Sequence, residues 1–242
     1  ALSIMQENVN QLDEWASKRE AFLSKGKKTV QAKMLDLLGL KGLPDHKIRI
    51  EATGHDSMRE YEQYKFQLIR EGEMPVPCIL IMPSRANADS PVELRLQEEG
   101  KGTYLSEYAN LAAALTEGKI LLLADLRGLG ETTDPAFYTD AKYWNREYRN
   151  AMVSMHIGRP IMGQRVVDIL TLLDFCSEHE FLKEHPVKVF ANGIYGPVAI
   201  HAAYLDERIS SVEIKHSVKT WKEYIERPMQ WDMYSNVLYG AL

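Results

Sequence analysis

The sequence predicts an α/β fold with a mainly parallel sheet and flanking helices, and three observations support this prediction. From residue 47 onward, apolar residues recur with the two-residue period of strands. The later strand segments are separated by helical stretches long enough to cross over a sheet. The 242 residues are 45% hydrophobic and 26% charged, which is the composition of a globular domain that can bury a sizeable core.

A helical segment is predicted in front of the sheet. The apolar residues of 2–24 fall on roughly one face of a helix, with charges on the opposite face. A break at Gly26 is followed by a second helix over 29–38, which Gly39 closes. We therefore divide the chain into an N-terminal helical segment, residues 1–42, and an α/β domain, residues 43–242.

Seven strands are predicted within this domain. The first three are bounded by Gly, Pro and Asp and have the spacing of hairpin-connected strands, over residues 47–53, 62–70 and 76–82. The other four alternate with helical patterns: strands over 91–97, 119–125, 187–191 and 211–215, and helices over 104–117, 161–178 and 196–205. This alternation is typical of parallel strands joined by crossover helices.

Composition and spacing exclude several classes of partner. The net charge of −5, with acidic and basic residues interleaved, gives no basic surface for nucleic acid. We predict no membrane span, because the sequence has no apolar run of sufficient length. His46, His55, His179 and His185 lack carboxylate or cysteine partners at metal-ligand spacing, and no phosphate-binding glycine motif is present, so no metal and no cofactor are expected. Cys78 and Cys176 lie in apolar segments and are predicted to be buried thiols.

The residues after strand 187–191 have the context of a nucleophile elbow without its nucleophile. In a G-x-S-x-G elbow, the middle residue occupies a strained strand-to-helix turn above the sheet. In this sequence Ile194 occupies that position, and its side chain has no oxygen to attack with. A shift by one residue makes Gly193 or Tyr195 the apex, and a phenol with a pKa near ~10 needs a strong base beside it.

Three blocks of sequence resemble α/β-hydrolases and, more narrowly, bacterial acetyl xylan esterase-like proteins. They are the strand end at 123–132, the helix start at 158–170 and the elbow-like segment at 187–203. With the strand pattern around these blocks, the resemblance covers roughly residues 47–215 in the family's order. The resemblance implies an α/β-hydrolase fold, a carbohydrate ester as substrate, acetylated carbohydrate as binding partner, and a periplasmic or secreted location.

The same resemblance implies where substrate would bind. The expected positions belong to the elbow and to the loop that would supply oxyanion donors: Gly100, Lys101, Arg127, Gly193, Tyr195 and Gly196. Glu98 and Glu99 precede Gly100, and their carboxylates would oppose a developing oxyanion. Lys101 would offset that charge if its side chain points inward.

Candidate catalytic residues are few. Ile194 stands at the nucleophile position, Tyr195 is the nearest alternative, and His216 follows a predicted parallel strand at its carboxyl end, where α/β sheets bind ligands. His216 with a carboxylate such as Glu99 is a possible pair for activating water. His201, one or two turns into the elbow helix, is predicted to be a packed or capped histidine.

Other polar residues are predicted to have structural roles. Asp125 and Arg127 follow a buried strand, and Arg165 and Asp168 lie one turn apart on the helix over 161–178, so we expect them to form a buried anchoring network. The aromatic residues of 221–239 are expected to pack against the domain, with carbohydrate stacking as the alternative.

The functional prediction follows from the differences between this sequence and the α/β-hydrolase pattern. The family carries its acid and its histidine on loops after later strands, whereas this sequence ends soon after residue 215, so we expect a C-terminal domain or a partner to complete the sheet. We predict an acetyl xylan esterase-like domain that has lost serine-based catalysis. The alternative is an active hydrolase that uses water activation, or residues from a further segment or partner.

Overall fold

The computed structural model describes residues 3–135, 146–227 and 233–241. The strands of this part of the chain are β1 Arg49–Ser57, β2 Tyr61–Ile69, β3 Val76–Pro83, β4 Val92–Leu96, β5 Ile120–Ala124, β6 Val187–Asn192 and β7 Ile209–Lys215. Its helices are α1 Ile4–Glu14, α2 Ala16–Leu23, α3 Lys27–Leu37, α4 Lys101–Ser106, α5 Tyr108–Thr116, α6 Arg146–His156, α7 Ile161–Glu178, α8 Tyr195–Leu205 and α9 Trp221–Glu226.

The seven strands form one sheet in the order β1-β2-β3-β5-β4-β6-β7. β1, β2 and β3 make an antiparallel meander, and β3 pairs antiparallel with β5. β5, β4, β6 and β7 are parallel to one another. The predicted α/β fold is therefore confirmed, with a parallel half and an antiparallel half. All four parallel strands end at one edge of the sheet, which we call the carboxyl edge.

Apolar side chains from both faces of the sheet are buried. The main core lies between the sheet and the helices α7 and α8, and a smaller core lies under α4 and α5 on the opposite face. All five residues of β5 are buried, as expected for a strand covered on both sides. Cys78 and Cys176 are free and buried in the main core, which confirms their prediction as thiols.

The helix predicted over 2–24 is two helices. Ser3 caps α1 by accepting a hydrogen bond from the Gln6 backbone N–H (3.2 Å), and the chain turns at Trp15 before α2 begins. The helix predicted over 104–117 is likewise divided, because Glu107 leaves the helical conformation with ψ 74° between α4 and α5. Periodicity alone does not reveal such one-residue interruptions.

The N-terminal helices pack on the α/β domain through the end of α3. Leu38 is buried in the main core beside α7. Gly163 of α7 approaches the Leu38 carbonyl so closely that a Cβ at position 163 would overlap it. The division at residue 42 stays a prediction.

Candidate functional site

The apex of the turn after β6 lies one residue earlier than predicted, at Gly193 and not at Ile194. Gly193 has φ +60°, whereas Ile194 has helical φ −63° and ψ −15° and is the N-cap of α8. The residue that makes the sharp turn is therefore Gly193, because glycine adopts positive φ without the steric cost that a Cβ carries. The Ile194 side chain is buried in the main core. Neither residue places an oxygen at the turn.

A glutamate from the neighbouring loop fills the space in front of this turn. The Ile194 backbone N–H donates to the Glu98 carboxylate at 3.2 Å, and a Cβ added at Gly193 would overlap the same carboxylate oxygen. Glu98 follows β4, so the contact joins the ends of two adjacent parallel strands. A carboxylate at the N-terminus of α8 is favoured by the helix dipole. The Glu98 side chain thus takes the place that a side chain at Gly193 would occupy.

Lys101 points inward, as the sequence allowed, and its ammonium group pairs with carboxylates of the next loop. Its Nζ lies 2.7 Å from Asp125 Oδ2 and 2.9 Å from Glu131 Oε1. The Lys101 backbone N–H donates to Asp125 Oδ1 at 2.7 Å. Gly100 lies directly beside the loop after β5 and is also buried. These contacts fix the loop after β4 to the loop after β5.

Arg127 anchors the loop after β5 to α7. Its backbone N–H and guanidinium donate to the Asp168 carboxylate, and its Nη1 reaches Glu73 at 2.8 Å and Gln164 at 3.0 Å. Burial opposes the Arg127 charge, yet the Asp168 and Glu73 carboxylates outweigh it and raise the pKa of the guanidinium. Arg127, which the resemblance placed in substrate binding, is therefore buried and engaged within the protein.

Arg165 forms a second buried anchor behind the turn. Its guanidinium makes two hydrogen bonds to the Glu147 carboxylate, at 2.7 and 2.9 Å, and its Nε donates to the Arg127 carbonyl at 3.0 Å. The predicted anchoring network of Arg165 and Asp168 is confirmed, although each residue has its own partner of opposite charge.

Tyr195 lies under the turn and not at its surface. Its side chain is completely buried, with the Arg165 guanidinium 5.8 Å from the centre of its ring. Burial raises the pKa of the Tyr195 phenol, and its hydroxyl has no hydrogen-bond partner among the described residues. A phenol that is hard to ionise and shielded from solvent is poorly placed to act as a nucleophile. Gly196, the next residue, is buried against Ser217.

His216 is the exposed member of a polar chain along the carboxyl edge. Its Nδ1 lies 3.2 Å from Asn192 Oδ1, and the Asn192 amide donates to Gln97 Oε1 at 3.1 Å. His216 has φ +48°, which no other non-glycine residue in the described part of the chain shares. Strained residues of this kind cluster at functional sites. The prediction that His216 marks a site stays open, and its position at the carboxyl edge supports it.

A cleft of about 430 Å³ opens beside His216, and we call it the polar cleft. The Arg95 guanidinium lies within it, 4.0 Å from the ring centre of Phe190 and 5.1 Å from that of Tyr104. Its walls carry both charges, so a neutral, hydroxyl-rich molecule finds donors and acceptors together with aromatic surface.

The remaining candidates have mainly structural surroundings. His201 Nδ1 lies 2.8 Å from the Pro197 carbonyl, which confirms that it is a capped helix histidine. Trp221 packs edge-on against Tyr224, Tyr239 is exposed, and Trp231 lies outside the described residues. The described residues contain no group of three side chains suited to a metal ion, and none of their helices has the length and apolar character to cross a bilayer.

Glu98 is the residue whose role sequence reasoning missed. The sequence indicates that its charge is unfavourable for an oxyanion, but it does not reveal the contact with Ile194. A weak signal exists in the sequence, since an acidic residue lies two positions after β4 and a glycine directly follows the neighbouring strand β6. Asn236 was also missed: its amide donates to the Ile194 carbonyl at 2.8 Å and ties a distant segment to the turn.

Comparisons with known proteins support this architecture. An acetyl xylan esterase from Thermoanaerobacterium sp. JW/SL YS485 superimposes with a TM-score of 0.58 at 16% identity, over 86% of this chain and 63% of its own. A Bacteroides fragilis protein described as an acetyl xylan esterase gives a TM-score of 0.65 at 13% identity. The match covers 77% of this chain and 51% of the Bacteroides protein. A glucuronoyl esterase from Solibacter usitatus gives a TM-score of 0.53 at 12% identity. The match covers 75% of this chain and 56% of the esterase.

These likenesses show the fold, which is α/β-hydrolase-like. No family model matches the sequence, and no curated protein matches it either. The chain spans between about half and two thirds of the length of these structural neighbours.

Proposed function

We propose that this chain is a carbohydrate-esterase-like domain that does not perform serine-based ester hydrolysis. One observation carries the proposal: the turn that presents the nucleophile in α/β-hydrolases contains Gly193 and Ile194, and the Glu98 carboxylate occupies the space in front of it. Acyl transfer needs an attacking oxygen and donors free to stabilise an oxyanion. Here the Ile194 N–H already binds an anion.

The charge of Glu98 strengthens this argument. A tetrahedral intermediate develops negative charge within hydrogen-bond distance of backbone N–H groups at the turn. A carboxylate held at the same groups repels that charge and competes for the same donors. The surroundings of the turn therefore favour a bound carboxylate over a hydrolytic intermediate.

The role that we propose in place of hydrolysis is binding of acetylated carbohydrate in the polar cleft. The carbohydrate-ester names of the structural neighbours support this substrate class, and the mixture of charged and aromatic groups around Arg95 and His216 supports the location. The Arg95 guanidinium lies 4.0 Å from the ring centre of Phe190 and pairs with Glu93, so the cleft contains a planar cation in a fixed position.

A second candidate is hydrolysis through activated water, and the exposed and strained His216 favours it. The imidazole Nδ1 faces Asn192, which leaves the second ring nitrogen to accept a proton from water. This reading needs a further charged partner, from Glu99 or from residues outside the chain.

Hydrolysis of 4-nitrophenyl acetate tests both candidates. We expect the purified protein to release nitrophenol no faster than its heat-denatured control. Hydrolysis that His216→Ala abolishes would establish the second candidate. Hydrolysis that His216→Ala leaves unchanged would contradict both and reveal another nucleophile.

Calorimetry with acetylated xylo-oligosaccharides tests the binding role separately. Saturable binding that Arg95→Ala weakens at least tenfold is the expected result. Arg208→Ala, a substitution of another partly exposed arginine that lies outside the polar cleft, is the matched control and should bind normally. Absence of binding at millimolar ligand would contradict the carbohydrate role without restoring a hydrolytic one.

A further inference from the structure

We propose that a second cleft, between the N-terminal helices and the α/β domain, binds a monomeric long-chain carboxylate. This helical cleft has a volume of about 600 Å³, within the range of roughly 300–1,000 Å³ typical of small-molecule sites. Its described walls are mostly apolar, with the side chains of Trp15, Phe22, Leu23, Met34, Leu37 and Trp221. The proposal is independent of the carboxyl edge and of any hydrolysis.

The helices on the outer side of the cleft leave apolar surface uncovered. None of the residues of α2 is buried, and the side chains of Leu23 and Trp15 are 58% and 38% exposed. Amphipathic helices on a globular domain normally bury their apolar face. A contiguous apolar surface of this kind, lined by several elements, is typical of a ligand site.

Two contacts join the helices that surround the cleft. Lys222 of α9 lies 3.2 Å from Asp13 of α1, an exposed pair outside the lining of the cleft. On the inner side, the Gln31 amide of α3 donates to the Tyr204 carbonyl of α8 at 3.1 Å. These contacts join α1 to α9 and α3 to α8 beside the cleft.

The charge of the cleft selects the head group. Three cationic residues line it, Lys18, Arg19 and Lys33, and no acidic residue is among the described residues that line it. Lys33 also contacts Asp36 at 2.9 Å, an exposed pair that water screens. One anionic group on an apolar molecule complements this arrangement.

The inner wall adds no charge that would oppose an apolar chain. Since the Pro197 carbonyl can only accept, His201 Nδ1 carries the hydrogen in the neutral ring. Burial lowers the pKa of His201, which keeps the imidazole neutral at pH 7. The occupant that fits the cleft is therefore an unbranched apolar chain with a single carboxylate that pairs with the cationic side chains of its lining.

Calorimetric titration with octanoate, decanoate and dodecanoate, each below its micelle concentration, tests the proposal. We expect one saturable site per chain and an affinity that rises roughly tenfold for every two added methylenes, because each buried methylene contributes a constant increment. Decan-1-ol should bind more weakly than decanoate. Absence of saturable binding, or an affinity independent of chain length, would overturn the proposal.

Variants distinguish the charge from the apolar walls. The double substitution Lys18→Gln and Lys33→Gln should weaken dodecanoate severalfold and leave dodecan-1-ol unchanged, whereas Lys183→Gln, at an exposed lysine outside the cleft, should change neither. Ala241→Phe places a ring in the cleft and should weaken both ligands at least tenfold.

Circular dichroism and thermal melting establish that each variant folds like the parent protein. If Ala241→Phe proves unstable, Met34→Phe supplies a second filling substitution on another wall of the cleft. Unchanged dodecanoate binding in a folded filling variant would overturn the proposal. Binding to anionic vesicles without binding of monomeric dodecanoate would overturn it as well, since the occupant would then be a surface.

Discussion

The carboxyl edge and the helical cleft use charged side chains in opposite ways. At the carboxyl edge and just behind it, Arg127, Arg165 and Lys101 are buried and each is paired with a carboxylate. Around the helical cleft, Lys18 and Lys33 are exposed and line an apolar space. In the first region the charges form buried ion pairs, whereas in the second region they face solvent.

This contrast shows that the architecture of a site and its chemistry are separable. The buried pairs hold the loops after β4 and β5 and the start of α8 in place, although the turn they support carries no nucleophile. The predictions below test how strongly the two regions differ.

The largest expected effect is on the Arg165 pair. Glu147→Ala leaves the completely buried Arg165 guanidinium without its carboxylate, so the free energy of unfolding should fall by about 3–5 kcal/mol. Urea unfolding followed by circular dichroism measures it. Glu147→Gln retains hydrogen bonding, so its free energy of unfolding should fall less than that of Glu147→Ala. Equal losses would show that charge is not the stabilising feature.

The second prediction concerns the packing of the N-terminal helices on α7. Gly163→Ala places a methyl group against the Leu38 carbonyl, so α3 has to shift and the free energy of unfolding should fall by about 1–3 kcal/mol. Gly102→Ala is the matched control, because a Cβ there meets open space and alanine favours the helix α4 by about 0.5–1 kcal/mol. If both variants were equally stable, α3 would not pack closely on α7.

A smaller effect depends on pH. The pKa of His201 is lowered by burial, so below the ordinary value of about 6.5 the unfolded chain binds a proton that the folded chain does not. Stability should therefore fall as the pH drops below about 6.5, by at most ~1.4 kcal/mol per pH unit from this group. His201→Gln should reduce the slope of the unfolding free energy with pH. His156→Gln, at an exposed histidine, should leave the slope unchanged.

The smallest effect is expected at the surface pair that joins α3 to the residues after α8. Lys27 contacts Glu207 at 2.5 Å, and both side chains are more than half exposed. Since exposed pairs are screened by water, Glu207→Ala should leave the midpoint of urea unfolding unchanged. A clear decrease would mean that the N-terminal helices depend on this pair, and the contrast between the two regions would weaken.

The fold could be predicted from the sequence because its signals are local. Two-residue periodicity located the strands, and the crossover helix α7 begins after Pro160 and ends at Glu178 as predicted. The interruptions at Trp15 and Glu107 could not be predicted, since each is one residue of altered backbone inside an otherwise helical pattern.

The candidate site was predictable only in part. Its place after β6 followed from the motif. The apex was assigned to Ile194 because the spacing to Gly196 matches an elbow, whereas the positive φ of the turn belongs to Gly193. The position of Glu98 depends on two strands distant in sequence lying side by side. The inward orientation of Lys101 likewise depends on Asp125, 24 residues later.

Reaction with a fluorophosphonate tests the central claim most directly, because such reagents form a stable covalent adduct with an activated serine whatever the natural substrate. The intact mass of the protein should be unchanged after incubation with the reagent. A stoichiometric mass increase that maps to a serine would contradict the account, since it would reveal a working serine nucleophile outside the turn that Gly193, Ile194 and the carboxylate of Glu98 form.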